Sequence, residues 1–566
     1  MKLRLHRRRT FSFLGILWIT TALLPALAEN PSQSPTGPWM DKTLSPDRRA
    51  ELLMGQMTLD EKLTMVHGGA GSAPGSLDGS HIAGIPRLGI PYILMTDGRS
   101  GVANTGHRGH YATALPSALA CGASWDQKVA YEFGALIGKE TRDLGFHLSL
   151  GGTANLIREP RNGRNFECFG EDPILIGKML GRALKGTQDQ GVVGNINRFA
   201  VNDQETGRRV GNAILDKRAM RESDLLAFEI AIRESGVGTV MCAYNKLNGE
   251  YACDSSYLLN DVLKKAWAYQ GWVMTDWGAA HSTVKAALAG LDQEMPTGTY
   301  FGDALKAAVL KGEVPVARLD DMVRRILRTE FALGLLDNSF TARPVNPFTG
   351  AETAQRIAEQ SSVLLKNSNG CLPLDASRVK SIAVIGSHAD VGVLSGAGSD
   401  QVDAAGGNVV PGGRAVWHPS SPLKAIRAKA PQARVEFDPG TDLDAAAKLA
   451  AASEVAIVFV NQFNSEGRDV PSLSLPDNQD QLVGRVAAAN PRVIVVLETG
   501  GPVTMPWSGA VSAVLEAWYP GIRGGEAIAN ILFGEVNPSA RLPVTFPKSE
   551  ADLPHPKMFA PPGFTV

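Results

Sequence analysis

The sequence predicts an α/β protein in two parts, a (β/α)8 TIM-like barrel followed by a three-layer α/β sandwich domain. Three observations carry this prediction. Short apolar runs alternate with segments of helical periodicity along most of the chain, which is typical of parallel sheets. Polar residues follow the apolar runs of the first half, at the face where a barrel carries its chemistry. Residues 337–350, with Pro, Asn and Gly and no periodicity, separate two such series.

Length and charge set the outer limits. The chain of 566 residues is too long for one ordinary domain, so we expect two or three. Its formal net charge of −1 predicts no large electrostatic attraction to nucleic acid or to anionic membranes. Five cysteines do not make a disulfide scaffold. Cys242 and Cys253 bracket a loop, and they either pair in an oxidising compartment or are two unrelated buried thiols.

The N-terminus has the features of a secretory signal. Residues 1–28 combine a basic start, an apolar core and the small-residue cleavage site Ala26-Leu27-Ala28. An uncleaved anchor is the alternative, which Pro25 and the A-x-A end disfavour. Arg8-Arg9 resembles a twin-arginine signal, so both Sec and twin-arginine export stay open. We expect a periplasmic or secreted protein with residues 29–44 as a mobile lead-in.

The first part, residues 45–337, shows the βα alternation most clearly. Its strand-like runs are residues 90–95, 148–157, 191–200, 238–244 and 271–275. Its helical segments are residues 129–144, 174–190, 221–235, 257–268 and 319–335. The capping box of residues 58–61 (TLDE) opens an earlier helix.

Residues 338–352 are expected to be the linker, and residues 353–550 the sandwich domain. Strand-like runs of the second series are residues 381–385, 454–460, 492–497 and 511–517. Helical segments at 443–452 and 478–490 separate them. Residues 551–566 are expected to form a C-terminal tail.

The stretch GWVMTDWGA, residues 271–279, contains the main candidate for chemistry. Its apolar run predicts a buried parallel strand, so Asp276 is expected at the C-terminal tip of that strand. There the carboxylate would be partly desolvated, with Trp277 as an aromatic wall beside it, which suits a nucleophile that attacks a sugar ring carbon. The alternative is that Asp276 only caps the next helix.

Further motifs follow other predicted strands: MTDGRSGV (95–102), REPRNGRNFECFGEDP (158–173), NINRFAVNDQETGR (195–208) and VMCAYNKLNGEYACDS (240–255). Asp97 is expected to accept hydrogen bonds from adjacent sugar hydroxyls, unless it is only part of an Asp-Gly turn. The charges around Arg164 predict an ion-pair network in which Arg164 reaches the ligand. Tyr244 is either a hydrogen-bond partner of Asp276 or a core tyrosine.

The loop FNSEGRDVPSLSLP, residues 463–476, offers a second carboxylate. Glycoside hydrolysis needs two carboxylates, and Asp276 and Glu466 would supply them from two domains. An exposed surface glutamate is the alternative for Glu466. A general acid must hold a proton at the working pH, so we expect burial and the charge of Asp276 to raise the pKa of Glu466. If Glu466 faced solvent far from Asp276, Asp469 would be the next candidate.

Other chemistries lack their motifs. The sequence contains no H-E-x-x-H zinc motif, no G-x-S-x-G elbow and no P-loop. We therefore predict neither a metal nor a cofactor.

The motifs GWVMTDWGA, MTDGRSGV, REPRNGRNFECFGEDP, MCAYNKLNG and GLDQEMP together resemble glycoside hydrolase family three of the β-glucosidase type, over roughly residues 44–547. The resemblance implies a barrel-like domain with an α/β sandwich, and hydrolysis of non-reducing β-linked sugars with retention, without metal or cofactor. It implies that Asp276 is the nucleophile and Glu466 the acid/base. The glycone-site residues that it implies are Asp97, Arg164 and Tyr244.

The sequence departs from the family pattern in two places. Asn197-Arg198 stand where the family usually has Lys-His before an apolar residue. Arg198 supplies charge, but its planar fork does not replace an ammonium group geometrically. We still expect Asn197, Arg198 and Trp277 in the substrate site. Related chains often continue into a fibronectin-type β-sandwich, which is not expected here because the sequence ends at Val566.

Two classes of function follow from the resemblance. The favoured one is a β-glucosidase that acts on β-glucosides or oligosaccharides. We do not expect nucleic acid as a partner. The alternatives are a catalytically weakened sugar-binding paralogue and a related exo-acting β-glycosidase such as a β-xylosidase. The presence of Asp97 is similar to the pattern of the glucosidases rather than that of the xylosidase branch. Asn197 and Arg198 favour the weakened paralogue.

Overall fold

The computed structural model of the chain describes residues 37–69, 81–103, 111–338, 341–346, 348–402 and 420–564. The predicted signal at residues 1–28 and the first half of the predicted lead-in, residues 29–36, lie outside these ranges.

The first half contains short strands alternating with helices. Its strands are β1 (His81–Ile82), β2 (Ile93–Thr96), β3 (Leu148–Thr153), β4 (Val193–Phe199), β5 (Asn212–Ala213), β6 (Thr239–Cys242), β7 (Lys246–Leu247), β8 (Glu250–Tyr251) and β9 (Trp272–Thr275). Its helices are α1 (Pro46–Met54), α2 (Leu59–Met65), α3 (Ala118–Ala123), α4 (Gln127–Asp143), α5 (Pro173–Gln188), α6 (Lys217–Glu222), α7 (Asp224–Ser235), the π-helical segment Tyr257–Ala266, α8 (Val284–Ala289), α9 (Asp303–Leu310) and α10 (Val316–Ala332).

The second half repeats the alternation. Its strands are β10 (Val363–Asn367), β11 (Ser381–Ile385), β12 (Arg434–Asp438), β13 (Val455–Asn461), β14 (Val493–Glu498) and β15 (Ala513–Glu516). Its helices are α11 (Ala351–Ser361), α12 (Pro422–Lys429), α13 (Leu443–Ala451), α14 (Gln479–Ala489) and α15 (Gly524–Leu532).

The first sheet closes on itself as a barrel. Its strand order is β1-β2-β3-β4-β6-β9, with parallel pairing from β2 to β9. The nitrogen of Thr275 donates to the carbonyl of Gln293 (3.0 Å), and that of Gly68 donates to Glu294 (2.8 Å). Gly69 then donates to the carbonyl of His81 in β1 (3.0 Å). The TIM-like barrel is therefore confirmed, but its sheet has six strands, which residues 67–69 and 293–294 close through isolated bridges, and β1 runs antiparallel to β2.

Local sequence explains several element ends. The capping box is confirmed at the start of α2, because Thr58 accepts from the nitrogen of Glu61 (3.2 Å) and Glu61 accepts from that of Thr58 (2.8 Å). Asp172 caps α5 by accepting from two backbone nitrogens. The helix predicted at residues 221–235 is instead broken at Ser223, where the backbone leaves the helical region.

The second sheet has the order β10-β15-β14-β13-β11-β12 and is parallel except for the edge strand β10. Alternate residues of each strand face opposite sides. One face packs side chains such as Val384 and Ile457 against α12 and α15. The other packs Val458 and Val495 against α13 and α14. The predicted three-layer sandwich is confirmed, although the sequence reading did not include β10 and β12.

Among the residues that the structure describes, none of the helices combines the length and the hydropathy that crossing a membrane requires.

Candidate active site

Asp276 lies at the C-terminal tip of β9, directly after Thr275. The side chain of Trp272 in this strand is fully buried, and the strand pairs in parallel with β6. Asp276 is only 8% exposed, and its carboxylate accepts a hydrogen bond from the backbone nitrogen of Trp277 (2.8 Å). The carboxyl ends of the parallel strands meet at this edge of the barrel, so Asp276 faces the residues that follow the neighbouring strands.

Tyr244 follows the neighbouring strand β6 and is also buried. Its hydroxyl donates to the carbonyl oxygen of Trp277 (3.1 Å). Burial raises the pKa of Tyr244, and the negative charges of Asp276 and Glu466 add to the effect. The Tyr244 hydroxyl and the Asp276 carboxylate thus both bind the backbone of Trp277.

The guanidinium groups of Arg208 and Arg209 lie against the ring of Tyr244, at 4.7 and 4.9 Å from its centroid. Both distances are in the range of cation–π contacts. Tyr244 is therefore held by two cation–π contacts at its ring and by one hydrogen bond at its hydroxyl.

A disulfide joins Cys242 to Cys253. Cys242 is the last residue of β6, so the bond closes the loop that carries Tyr244. Of the two alternatives for this cysteine pair, the structure has the disulfide.

Asp97 follows β2 and its side chain is 17% exposed. Nη1 of Arg99 donates to Oδ1 of Asp97 (3.2 Å). Burial nevertheless raises the pKa of Asp97 to about 7, with a contribution from the charge of Glu466. Asp97, Tyr244 and Asp276 thus follow three strands at the same edge of the barrel. Arg99, which binds Asp97, also donates to Ser399, whose backbone nitrogen donates to Glu466.

The ion-pair network predicted around Arg164 centres on Glu167, which is fully buried. Glu167 accepts from Arg164 (2.8 Å), and its other oxygen lies 3.1 Å from Nε of Arg99 and 3.3 Å from Nη1 of Arg198. Three cations around one carboxylate fix the orientation of Arg164, whose Nη1 points towards Glu466. The interpretation that the motif braces Arg164 agrees with these contacts.

Asn197 and Arg198 lie inside β4 and are both fully buried. The amide of Asn197 donates to the carbonyl of Leu150 (2.7 Å) and its oxygen accepts from Thr153 (3.1 Å). Nε and Nη2 of Arg198 have no hydrogen-bond partner among the described residues. Burial lowers the pKa of Arg198. The amide of Asn197 is thus used within the barrel wall, and its role as a sugar ligand stays a prediction.

Glu466 reaches the barrel from the loop after β13. Its Oε1 accepts from Arg164 (3.2 Å) and Arg208 (2.9 Å), and its Oε2 accepts from the backbone nitrogen of Ser399 (3.0 Å). Burial acts to raise the pKa of Glu466, but Arg164 and Arg208 outweigh it and hold the pKa well below the usual range. The expectation of a raised pKa for Glu466 is therefore wrong for this arrangement, because it considered burial and the charge of Asp276 but not the two arginines.

Asp469 is buried and holds several backbone hydrogen bonds. Its carboxylate accepts from the backbone nitrogens of Gly163 (3.1 Å), Glu205 (2.9 Å) and Thr206 (2.7 Å). These bonds join the Glu466 loop to two loops of the barrel. Asp469 therefore holds the Glu466 loop against the barrel, and its place as the next candidate for the acid, should Glu466 not be the acid, stays a prediction.

Three further residues, Glu205, Ser399 and Asp400, belong to the cluster and were not predicted as site residues. Glu205 accepts from Arg208 (2.7 Å) and from the nitrogen of Gly467 (2.7 Å). Ser399 accepts from Arg99 (3.0 Å), and the carboxylate of Asp400 accepts from the nitrogen and hydroxyl of Ser100. The charged motif NDQETGR, residues 202–208, could have pointed to Glu205. The sequence GSD at residues 398–400 is typical of a surface turn and gave no signal for Ser399 and Asp400.

Within the described ranges, no group of three or more His, Cys, Asp or Glu side chains is arranged to hold a metal ion.

Comparison with known proteins identifies the family. The glycosyl hydrolase family 3 N-terminal domain matches residues 82–329, and the glycosyl hydrolase family 3 C-terminal domain matches residues 362–563. The chain belongs to glycosyl hydrolase family 3. The resemblance stated from the motifs is thereby confirmed.

Two relatives within glycosyl hydrolase family 3 cover most of the chain. Thermostable beta-glucosidase B of Acetivibrio thermocellus is 37% identical over 522 residues, which are 88% of this chain and 65% of that protein. Beta-glucosidase BoGH3A of Bacteroides ovatus is 32% identical over 94% of this chain and 75% of its own length. The chain thus spans about two thirds to three quarters of the length of these relatives.

Solved structures of family members have the same fold. DesR, a β-glucosidase from Streptomyces venezuelae in complex with D-glucose, has a TM-score of 0.81 and 32% identity, over 88% of this chain and 78% of DesR. β-Glucosidase 3B from Thermotoga neapolitana in complex with glucose has a TM-score of 0.81 and 28% identity, over 89% of this chain and 76% of that chain.

Proposed function

We propose that the chain is a retaining β-glucosidase that releases non-reducing terminal β-D-glucosyl residues from β-glucosides. One observation carries the proposal. Arg208 lies 4.7 Å from the centroid of the Tyr244 ring and donates to Glu466 (2.9 Å), while the Tyr244 hydroxyl and the Asp276 carboxylate both bind the backbone of Trp277. The carboxylate of the barrel and that of the sandwich are therefore linked through adjoining groups. Glycoside hydrolysis requires such a pair, and in retaining enzymes the two carboxyl groups are close together. The relatives named above are β-glucosidases, which supports the same substrate class.

In the proposed first step, a carboxylate oxygen of Asp276 bonds to the anomeric carbon while the bond to the aglycone oxygen breaks. Glu466 gives the aglycone oxygen its proton. In the second step, Glu466 takes a proton from water, and the oxygen of that water displaces Asp276 from the anomeric carbon. Two displacements leave the sugar with its original β configuration.

The contacts of Asp276 suit this role. Its carboxylate is held by the nitrogen of Trp277, and Asp276 is largely buried. A fixed and partly desolvated carboxylate needs little reorganisation before it attacks. Asp97, at the neighbouring strand end, would accept hydrogen bonds from hydroxyls distant from the scissile bond.

The ionised state of Glu466 suits the second step, in which it acts as a base, more directly than the first step. Arg164 and Arg208 keep it ionised, which is the form of a general base. To act as the acid it must hold a proton, so substrate must displace at least one arginine from its Oε1. Sugar hydroxyls that bind Arg164 would weaken that pair and raise the pKa of Glu466 towards the working range.

A second candidate is a sugar-binding paralogue with weak turnover. The observation that favours it is the burial of Asn197 and Arg198, which leaves the family's Lys-His position without an exposed donor pair. Replacing both residues by Lys and His would restore the family's donors. If Asn197→Lys with Arg198→His binds glucose no more tightly and is no more active, this candidate loses its main support.

We further propose that the protein acts in the periplasm or outside the cell. The Cys242–Cys253 disulfide supports an oxidising compartment, since disulfides are rare in the cytosol. Residues 1–28 supply the expected export signal.

The deciding experiment is hydrolysis of p-nitrophenyl β-D-glucoside by the purified full chain, compared with the β-xyloside. Proton NMR of the sugar first released should show the β anomer. A 2-deoxy-2-fluoroglucosyl inactivator should add its mass to the peptide that contains Asp276. Asp276→Asn should abolish turnover and keep the circular dichroism of the parent, and near-normal turnover would remove Asp276 from the mechanism.

A further inference from the structure

Residues 397–400 (AGSD) lie in the connection after β11 and contact the loop that carries Glu466. The nitrogen of Ala397 donates to the carbonyl of Asn464 (3.0 Å), and the nitrogen of Glu466 donates to the carbonyl of Ala397 (3.1 Å). The nitrogen of Ser399 donates to Oε2 of Glu466 (3.0 Å). The 397–400 segment therefore binds both the backbone and the carboxylate of the proposed acid/base.

Gly398 allows this close approach. Its φ of 101° is in the left-handed region that favours glycine, and a Cβ atom there would lie 2.4 Å from the Cβ atom of Glu466. A larger residue would therefore have to displace Glu466. The backbone of the 397–400 segment packs directly on Glu466, so a shift of the segment also shifts the carboxylate.

Asp400 joins the other end of the segment to the barrel. Its side chain is fully buried, and both of its carboxyl oxygens bind one residue, Ser100. Oδ1 accepts from the nitrogen of Ser100 (2.8 Å), and Oδ2 lies 2.6 Å from its hydroxyl oxygen. Ser100 is also buried and belongs, with Asp97, to the loop that follows β2. Asp400 thus ties the sandwich to the Asp97 loop.

Arg99 and Arg164 also bind the segment, through the hydroxyl oxygen of Ser399 (3.0 and 3.3 Å). Both arginines pair with carboxylates of the cluster as well, so a substitution at either would disturb many contacts. Among the described residues, the hydrogen bonds of the Asp400 carboxyl go only to Ser100. A change at Asp400 therefore alters the link to the Asp97 loop without removing a cation from the cluster.

In the proposed reaction Asp97 binds hydroxyls at one end of the sugar, and Glu466 acts on the aglycone oxygen at the other end. We propose that Asp400 is a positioning residue that couples these two ends. It holds the 397–400 segment, and with it Glu466, at a fixed place relative to the Asp97 loop, and it does not touch the sugar itself. The inference rests on the proposed function and deepens it, because it names how the acid/base is placed relative to the bound sugar.

Asparagine is a conservative replacement for Asp400 at pH 6. Burial raises the pKa of Asp400 to about 7, and the charge of Glu167 adds to this effect while Arg99 opposes it. At pH 6 most of the carboxyl is therefore protonated, so one oxygen donates to the Ser100 hydroxyl and the other accepts from the Ser100 nitrogen. An amide offers the same donor and acceptor. Asp400→Asn should keep the link, whereas Asp400→Ala removes both bonds.

The test measures both ends of the sugar with the full chain at pH 6. Asp400→Ala should weaken inhibition by glucose about threefold or more, and should lower kcat/KM for phenyl β-glucoside at least about tenfold. The loss should be smaller for dinitrophenyl β-glucoside, whose leaving group needs no acid. Asp400→Asn should keep both values close to those of the parent. Asp444→Ala, at an aspartate whose side chain is 81% exposed, is the control and should behave as the parent does.

Ser100→Ala tests the same link from the barrel side. It removes the hydroxyl bond to Asp400 and keeps the backbone bond, so its effects should have the same direction and be smaller. Because both substitutions break one contact, the double variant Ser100→Ala, Asp400→Ala should lose less activity than the product of the two single effects. If Asp400→Ala does not fold, Ser100→Ala takes its place in every measurement.

Hydrogen exchange separates the inference from the proposed function, because it needs no turnover. In Asp400→Ala, peptides of residues 97–102 and 463–467 should exchange faster than in the parent, whereas α14 should not. If the parent hydrolyses no glucoside, the proposed function fails, and the exchange rates alone decide on the coupling. Unchanged exchange in these peptides would overturn the proposal. In an active parent, equal losses for both glucosides or unchanged glucose inhibition would also overturn it.

Discussion

Arg164 in the barrel donates a hydrogen bond to Glu466 in the sandwich, with 3.2 Å between Nη1 and Oε1. The same guanidinium is held by the buried carboxylate of Glu167 (2.8 Å). Arg164 therefore links the fixed charges of the barrel wall to the loop that carries the proposed acid/base. Binding of a sugar to Arg164 would change the proton affinity of Glu466, which connects recognition to catalysis.

The first prediction concerns Glu466→Ala. General acid–base catalysis contributes about 10²–10⁴-fold, so kcat/KM for glucosides with poor leaving groups should fall by about this factor. Dinitrophenyl glucoside needs no protonation of its leaving group and should still react in the first step. Azide should then restore turnover and yield β-glucosyl azide, detected by mass spectrometry. Glu454→Ala, at an exposed glutamate before β13, is the control and should retain activity. If azide gives no glycosyl azide, Glu466 is not the acid/base.

The second prediction separates Asp469 from Glu466. Asp469→Ala removes three backbone hydrogen bonds to a charged acceptor, and bonds of this type are worth about 1.5–3 kcal/mol each. The Glu466 loop should loosen, so kcat should fall for good and poor leaving groups alike and thermal stability should decrease. Azide should not rescue this variant, because no catalytic carboxylate has been removed. Rescue equal to that of Glu466→Ala would make Asp469 a proton-transfer residue.

The sequence predicted the barrel, the sandwich and the strand-end positions of Asp97, Tyr244 and Asp276, because periodicity and chain order determine them. It failed on the ionisation of Glu466. That depends on Arg164 and Arg208, which are 302 and 258 residues away along the chain. No local pattern shows which distant cation meets a loop carboxylate. The broken helix at Ser223 has a similar cause, since Arg158 binds Ser223 and Asp224 there.

The third prediction uses the pKa of Asp97, which burial raises to about 7. A carboxylate accepts sugar hydroxyl bonds more strongly than its protonated form does. Glucose should therefore inhibit more strongly as the pH rises through about 7, and more weakly below it. Asp97→Asn cannot titrate, so its inhibition constant should be higher and independent of pH between 5 and 8. An unchanged inhibition constant and pH profile would leave Asp97 as a turn residue only.

The last prediction concerns stability and Glu330, which is fully buried in α10 and whose two carboxylate oxygens have no partner among the described residues. Burial raises its pKa from 4.5 to about 8. Between these values the native state holds a proton that the unfolded state has lost, so this group lowers stability as the pH rises. Glu330→Met removes both the slope and the unpaired polar group, and should raise the free energy of unfolding at pH 8 by about 1–3 kcal/mol or more. The gain should be smaller at pH 5, because Glu330 is then protonated in the native state and costs less.

Glu330→Gln should remove the slope but keep an unpaired amide, so its gain at pH 8 should be smaller than that of Met. Glu313→Met, at an exposed glutamate, is the control and should change stability by less than about 0.5 kcal/mol. Urea unfolding at the two pH values measures all three variants, and a Glu330→Met gain that does not depend on pH would show that Glu330 does not titrate in this range.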